Sequence, residues 1–129
     1  GEIGASMACF QMLCQYLGVS WRRDTVRRVL ENQQKSLGTI SLQSCGAIAE
    51  MLGMNAQLVQ VPSKAIARIK TPALIRYHDS LAILYACDDK ELTLAVPEIG
   101  IHRQTPADFT RAWGEGGQVL LLQARPGET

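Results

Sequence analysis

The stretch Gly4-Ala5-Ser6-Met7-Ala8-Cys9-Phe10-Gln11-Met12-Leu13-Cys14-Gln15-Tyr16-Leu17-Gly18 decides how the rest of the chain is read. Small or apolar residues at Ala5, Ala8, Cys9, Met12, Leu13, Tyr16 and Leu17 follow steps of three and four, the spacing of one stripe on an α-helix. Gly18 supplies the stop, because glycine enters the left-handed conformation that closes helices without steric cost. The chain therefore opens with a helix that buries one face, almost from its first residue.

Working outward, composition bounds what such a helix can belong to. A chain of 129 residues suits one domain with one core. With 47% hydrophobic and 19% charged residues, it has the apolar content to fold. The formal net charge of +1, from 13 basic and 12 acidic residues, removes any bulk electrostatic case for nucleic acid or anionic lipid. Cys9, Cys14, Cys45 and Cys87 form no Cys-x-x-Cys pair and keep no metal-ligand spacing to a histidine. Two of them lie on apolar helical stripes, so reduced, buried thiols in a reducing cytosol are expected, with no metal. No secretory signal is visible and no apolar run approaches the ~18 to 20 residues of a membrane span, so a soluble domain is expected.

Further along, a second helix is expected from about Trp21 to Asn32, with Ser20 or Asp24 as its cap. Val26, Val29 and Leu30 form its apolar stripe, and Arg22, Arg23, Arg27 and Arg28 form a solvated face on the other side. Residues 32–38 read as a polar loop. Ser41 can cap a third helix to Leu52, closed by Gly53, with Leu42, Cys45, Ile48, Ala49 and Leu52 inward. Strands follow at Ala56–Val61, Pro72–Tyr77, Leu81–Ala86, Glu91–Val96, Ile101–Gln104 and Gln118–Gln123. The continuous apolar run of Leu81–Ala86 suits a strand buried on both faces. Short helical pieces interrupt them at Ser63–Ile69 and at Pro106–Trp113, the latter capped by Thr105 with proline first. Hairpin-length links between the later strands require an antiparallel sheet, and the expected fold is α+β with the helices packed on one side. Ala124–Thr129 reads as a frayed end.

Three of these segments carry a resemblance to a known family. The run Ala8-Cys9-Phe10-Gln11-Met12 resembles the first helix of the bacteriocin-processing, double-glycine leader cysteine peptidases found at the front of ABC exporters. Gly38-Thr39-Ile40-Ser41-Leu42 with Ala47-Ile48-Ala49-Glu50-Met51-Leu52-Gly53-Met54 resembles their third helix, and Pro72-Ala73-Leu74-Ile75 the Pro-Ala-apolar-apolar strand that, with a turn, precedes their histidine. The resemblance spans about Gly4 to Gln123 and implies a papain-like fold. In that family the nucleophilic cysteine opens the first helix, where the dipole favours a thiolate. Its place here falls on Ala5, with Gly4 and Ser6 in place of the flanking Glu and Gly. The family's histidine falls on Leu81 and its orienting aspartate, before a proline, on Val96; the oxyanion glutamine would lie upstream of Gly1. A thiol mechanism needs a thiolate, an imidazole and an acceptor that orients the ring, and Ala5, Leu81 and Val96 provide none of them.

The resemblance thus implies a degenerate, non-catalytic peptidase-like domain, covering 1–129, at the cytosolic N-terminus of a type I secretion ABC transporter. Such a domain would tether a secreted polypeptide on the cytoplasmic face of the bacterial inner membrane. Membrane and ATPase domains, an ATP/Mg cofactor and homodimerisation belong to the full-length transporter that the resemblance implies. The domain itself takes no cofactor. Ser6, Tyr77, Leu81, Glu98 and Trp113 are the expected substrate contacts. Two alternatives stand beside this one: a leader peptidase that pairs Cys9 or Cys14 with His78, and a regulatory module that contacts the transporter's own ATPase domain.

Overall fold

In a computed structural model of the protein, which describes residues 1–127, the chain runs α1 (Glu2–Leu17), α2 (Arg23–Leu37), α3 (Leu42–Leu52), β1 (Met54–Pro62), a 3-10 helix (Ser63–Arg68), β2 (Ala73–Tyr77), β3 (Ser80–Cys87), β4 (Leu92–Val96), β5 (Gly100–Gln104), α4 (Pro106–Trp113) and β6 (Gly116–Ala124). The glycine stops of α1 and α3 and the side-chain caps of α3 and α4 form where expected. Gly18 ends α1 at φ 70, and the Ser41 hydroxyl accepts the Ser44 backbone N–H at 3.0 Å at the start of α3. Thr105 accepts from Asp108 N–H at 3.1 Å, with Pro106 in the first turn of α4.

The second helix is longer than its apolar stripe suggests, running through the supposed loop to Leu37. Its polar end is held by tertiary contacts: Gln34 donates to the Glu2 carboxylate at 3.3 Å, and Gln33 accepts from the Ser44 hydroxyl. Neither Ser20 nor Asp24 caps it, since Arg22 occupies that position without a side-chain bond and Asp24 sits in the first turn.

Six antiparallel strands form one sheet in the order β1-β6-β2-β3-β4-β5. The last strand inserts between the first and second, and only β2 to β5 form a meander. Alternation along the central strands sorts their side chains to two faces. Leu74, Leu81, Ile83 and Ala95 join Phe10, Leu13, Leu30, Ile48 and Met54 in a core beneath α1 to α3. Ala73, Ile75, Ala82, Leu84 and Val119 pack instead against Ile66 of the 3-10 helix and Phe109 of α4. The sheet is therefore covered on both sides. The three N-terminal helices share one face as expected; the short α4 departs to the other because Phe109, fully buried, gives it an apolar anchor of its own.

Two further details differ from the sequence reading. The buried face of α1 centres on Ala5, Ser6, Cys9, Phe10, Leu13 and Cys14, and Tyr16 is 57% exposed. Helix α1 touches both β3 and α2, so two contact lines widen the stripe. The chain end is also tied down as far as Arg125, whose guanidinium donates to the Glu50 carbonyl at 2.6 Å and to the Glu50 carboxylate at 3.0 Å. The rest of the supposed frayed end, at Glu128 and Thr129, lies outside the described residues.

Candidate functional site

An open depression of about 410 Å³ lies where the N-terminus of α1 meets two hairpin turns. Gly1, Glu2 and Ala5 supply the helix side. Tyr77, His78, Asp79 and Ser80, around the β2–β3 turn, form a second wall, and Val96, Pro97, Glu98 and Ile99 form a third. The third wall is a four-residue turn closed by Ile99 N–H donating to the Val96 carbonyl at 3.0 Å. Proline in its second place and Glu98 at φ 75 in its third match a type II turn, which ordinarily takes glycine there. His78 also has positive φ, 57. Among the described residues, both non-glycine residues that carry left-handed backbone thus line this one depression, and local strain of this kind collects at functional sites.

The positions that the resemblance assigns to the family's catalytic residues separate into two groups. Ala5 and Val96 line the depression together. Leu81 follows the lining residue Ser80, but its side chain is 1% exposed and packs into the core under α1, on the far side of the strand from Tyr77's aromatic neighbours. Its carbonyl accepts from the Cys9 thiol at 3.7 Å. Among the expected contacts, Tyr77 and Glu98 lie on the walls, while Ser6 is fully buried with its hydroxyl donating to the Glu2 carbonyl at 2.8 Å. Buried Ser6 and Leu81 therefore offer no side-chain surface to a ligand, which corrects the sequence expectation for both. Trp113 lies elsewhere, on a second depression described below.

None of the four thiols lines the depression. Burial pushes Cys9 up to about 12, with the neighbouring Cys45 adding to it, and likewise pushes Cys45 to about 12. Burial raises Cys14 to about 11, against a partial opposing effect of Arg22. Cys87, also raised by burial, closes the opposite end of β3 from Ser80. His78 thus reaches the depression without a partner thiol. The titratable side chains that line it are Glu2, Tyr77, His78, Asp79 and Glu98. Among the described residues no three His, Cys, Asp or Glu side chains converge as a metal site.

Residues missed in the sequence organise the floor. Arg76 projects from the helix-facing side of β2, donating to the Ile40 carbonyl at 2.6 Å and to Glu2 at 3.3 Å. Burial pushes the Glu2 carboxyl up, but hydrogen bonds from Arg76, Thr39, the Ile40 backbone and Gln34 outweigh it and hold the group below its ordinary value. The node fixes the start of α1 to the α2–α3 connection and to the sheet. A charged residue inside the apolar strand Leu74-Ile75-Arg76-Tyr77 was the available signal. Beyond Arg76 a second depression of about 390 Å³ is lined by Leu42, Arg76, His78, Ala112, Trp113, Gly117 and Gln118.

This geometry agrees with the family's fold, and comparison with known proteins makes the assignment. Residues 4–127 match the Peptidase C39 family, and the chain belongs to that family. Its structure is similar to that of a double glycine motif protease from an AMS/PCAT transporter, solved in complex with the leader peptide (TM-score 0.79, 16% identity, covering 97% of this chain and 87% of that one). It is similar as well to the peptidase domain of Streptococcus ComA, a bifunctional ABC transporter of a quorum-sensing pathway (TM-score 0.72, 12% identity, 95% and 92% covered). A third relative is the N-terminal peptidase C39-like domain of the toxin secretion ATP-binding protein from Vibrio parahaemolyticus (TM-score 0.69, 14% identity, 94% and 97% covered). The sequence has no match among curated proteins. At these identities the likeness establishes the papain-like α+β fold. Among the described residues no helix is long and apolar enough to cross a membrane.

Proposed function

We propose that this domain is a non-catalytic member of its family that holds a segment of an exported polypeptide without cutting it. The observation that carries the reading is the lining of the depression: Ala5 and Val96, the residues that the resemblance puts at the nucleophile and acceptor positions, both line it, and none of the cysteines does. Leu81, where the resemblance puts the histidine, is packed into the core with its side chain off the depression, so that position supplies no proton acceptor to it. The depression itself persists, and exposed Ile99 and Ile101, 72% and 57% accessible, extend an apolar rim along the edge strand β5. A structural relative crystallised with its leader peptide lends support to a polypeptide ligand. Tyr77, Glu98 and Ile99 are the contacts this reading favours.

In this account the domain stands at the N-terminus of a type I secretion ABC transporter, on the cytoplasmic side of the membrane. ATP and magnesium act in another domain of a homodimeric transporter. Weak binding suffices there, because attachment to the exporter raises the effective concentration of cargo near the channel. The test is equilibrium binding of a fluorescently labelled unfolded polypeptide, followed by anisotropy, with the mass of the polypeptide read afterwards. Saturable binding with an unchanged mass is the expected result; shortened polypeptide, or no binding up to millimolar concentration, contradicts it.

A further inference from the structure

The two depressions meet. His78 lines both, and Glu2 of the first is ion-paired to Arg76 of the second at 3.3 Å. Their charges are opposite in arrangement. The Ala5 depression is lined by the acids Glu2, Asp79 and Glu98, with His78 as its only basic side chain. The second is lined by Arg76 and His78 and by no acid. The pair at the boundary leaves Arg76 with 39% of its side chain exposed and further N–H donors to offer.

The second depression also carries unpaired backbone and an aromatic wall. Strands β2 and β6 pair only through Ala73–Ile75 and Leu121–Val119, then splay. Past that point Arg76 and Tyr77 pair only with Leu81 and Ser80, and Gln118, Gly117 and Gly116 only with Gln60, Val61 and Pro62. One rim of each strand therefore faces the gap without a ladder partner, a place for the backbone of an extended segment. Trp113 closes the wall, its ring held by Phe109 at a centroid distance of 5.3 Å. A β-carbon on Gly117 would stand 3.0 Å from that ring, so glycine is what lets the indole lie there.

Resting on the polypeptide-binding reading above, we propose that the Arg76, His78 and Trp113 depression is a second subsite for the same polypeptide, selecting a segment with an acidic side chain next to an aromatic or aliphatic one, while basic or neutral residues of that segment cross the acidic Ala5 depression. The carboxylate lies between Arg76 and His78, the apolar neighbour packs on Trp113, and the segment's backbone meets the splayed strands. The occupant is thus defined by the order of its charges as well as by its apolar content.

The chain has two tryptophans, so Trp21→Phe leaves Trp113 as the sole indole reporter. In that background, a short labelled peptide with a lysine pair, two glycines and an Asp-Phe pair is titrated while anisotropy and Trp113 emission are recorded together. Expected are a saturable emission change with the anisotropy isotherm, and binding weakened about fivefold or more when the peptide's Asp becomes Asn or the protein carries Arg76→Gln or Gly117→Ala. Arg28→Gln, on exposed α2, leaves it unchanged. Because Arg76 also anchors α1, His78→Asn, in an exposed turn whose positive φ asparagine tolerates, carries the same test if Arg76→Gln unfolds. Anisotropic binding without emission change, or equal affinity for the Asn peptide, overturns the subsite and leaves polypeptide binding standing. An equal emission change from acetate alone, or one that follows self-association of the protein, also overturns it. Absence of binding by any peptide overturns both readings.

Discussion

Glu2 and Arg76, 74 residues apart in the chain, meet at 3.3 Å on the boundary between the two depressions. The pair joins the first turn of α1 to the second half of β2, and Thr39 and Gln34 donate to the same carboxylate at 3.2 and 3.3 Å. It is a structural device on the boundary between the two depressions, and it titrates.

Because the folded-state pKa of Glu2 is depressed, its contribution is fully present above the ordinary carboxylate value of 4.5 and is lost as pH falls through the lower folded value. Glu2→Gln is expected to lower stability at pH 7 by about 1 kcal/mol, a modest figure because Arg76 is partly solvated. Thermal melts of both proteins at several pH values check this: the gap between them closes below pH 4.5, and a gap that widens there contradicts the assignment.

Burial holds Cys9 and Cys45 near 12 and Cys14 near 11, so at pH 8 about one in ten thousand of the first two is thiolate. Mass spectrometry after brief iodoacetamide treatment of the native protein is expected to find Cys87 modified first and the other three only after denaturant is added. Rapid native labelling of Cys9 or Cys14 would put a reactive thiol back on α1.

Glu98 occupies the turn position where glycine avoids the left-handed steric penalty. Glu98→Gly should therefore raise stability by about 0.5 kcal/mol after the larger unfolded-state entropy of glycine is set against the relief. Denaturant melts measure it. The same variant is expected to bind polypeptide more weakly, since it removes one acid from the wall.

Leu81 is 1% exposed within the core under α1. Leu81→His places a polar ring among hydrocarbon side chains and is expected to cost about 2 to 4 kcal/mol. A melt within 1 °C of the parent would show that the position has room for an imidazole.

Much of this architecture is legible in the sequence because it is local. The Ser41 and Thr105 caps, the Gly18 and Gly53 stops and the two-faced burial of β3 follow from residues adjacent in the chain. What escapes is non-local. The polar residues at the end of α2 look like a loop until Glu2 and Ser44 are brought beside Gln34 and Gln33. The insertion of β6 between β1 and β2 depends on pairing between residues far apart in the chain, such as Met54 with Ala124 and Ile75 with Val119, and nothing in Gly116–Ala124 announces it. At the site, Ala5 and Val96, which the resemblance singles out, line one depression from opposite elements, while Ser6, one residue on, turns inward by the 100° step of the helix. Trp113 is among the contacts expected from the sequence, but Arg76, His78 and Gly117, which share its depression, come from separate parts of the chain.

The most direct test of a scaffold that binds without cutting uses a labelled double-glycine leader peptide, incubated with the domain and with a variant in which Cys9, Cys14, Cys45 and Cys87 are all serine or alanine. Intact peptide in both reactions, with saturable binding to the parent domain, is the predicted result. Cleavage by the parent that disappears in the cysteine-free variant would contradict it.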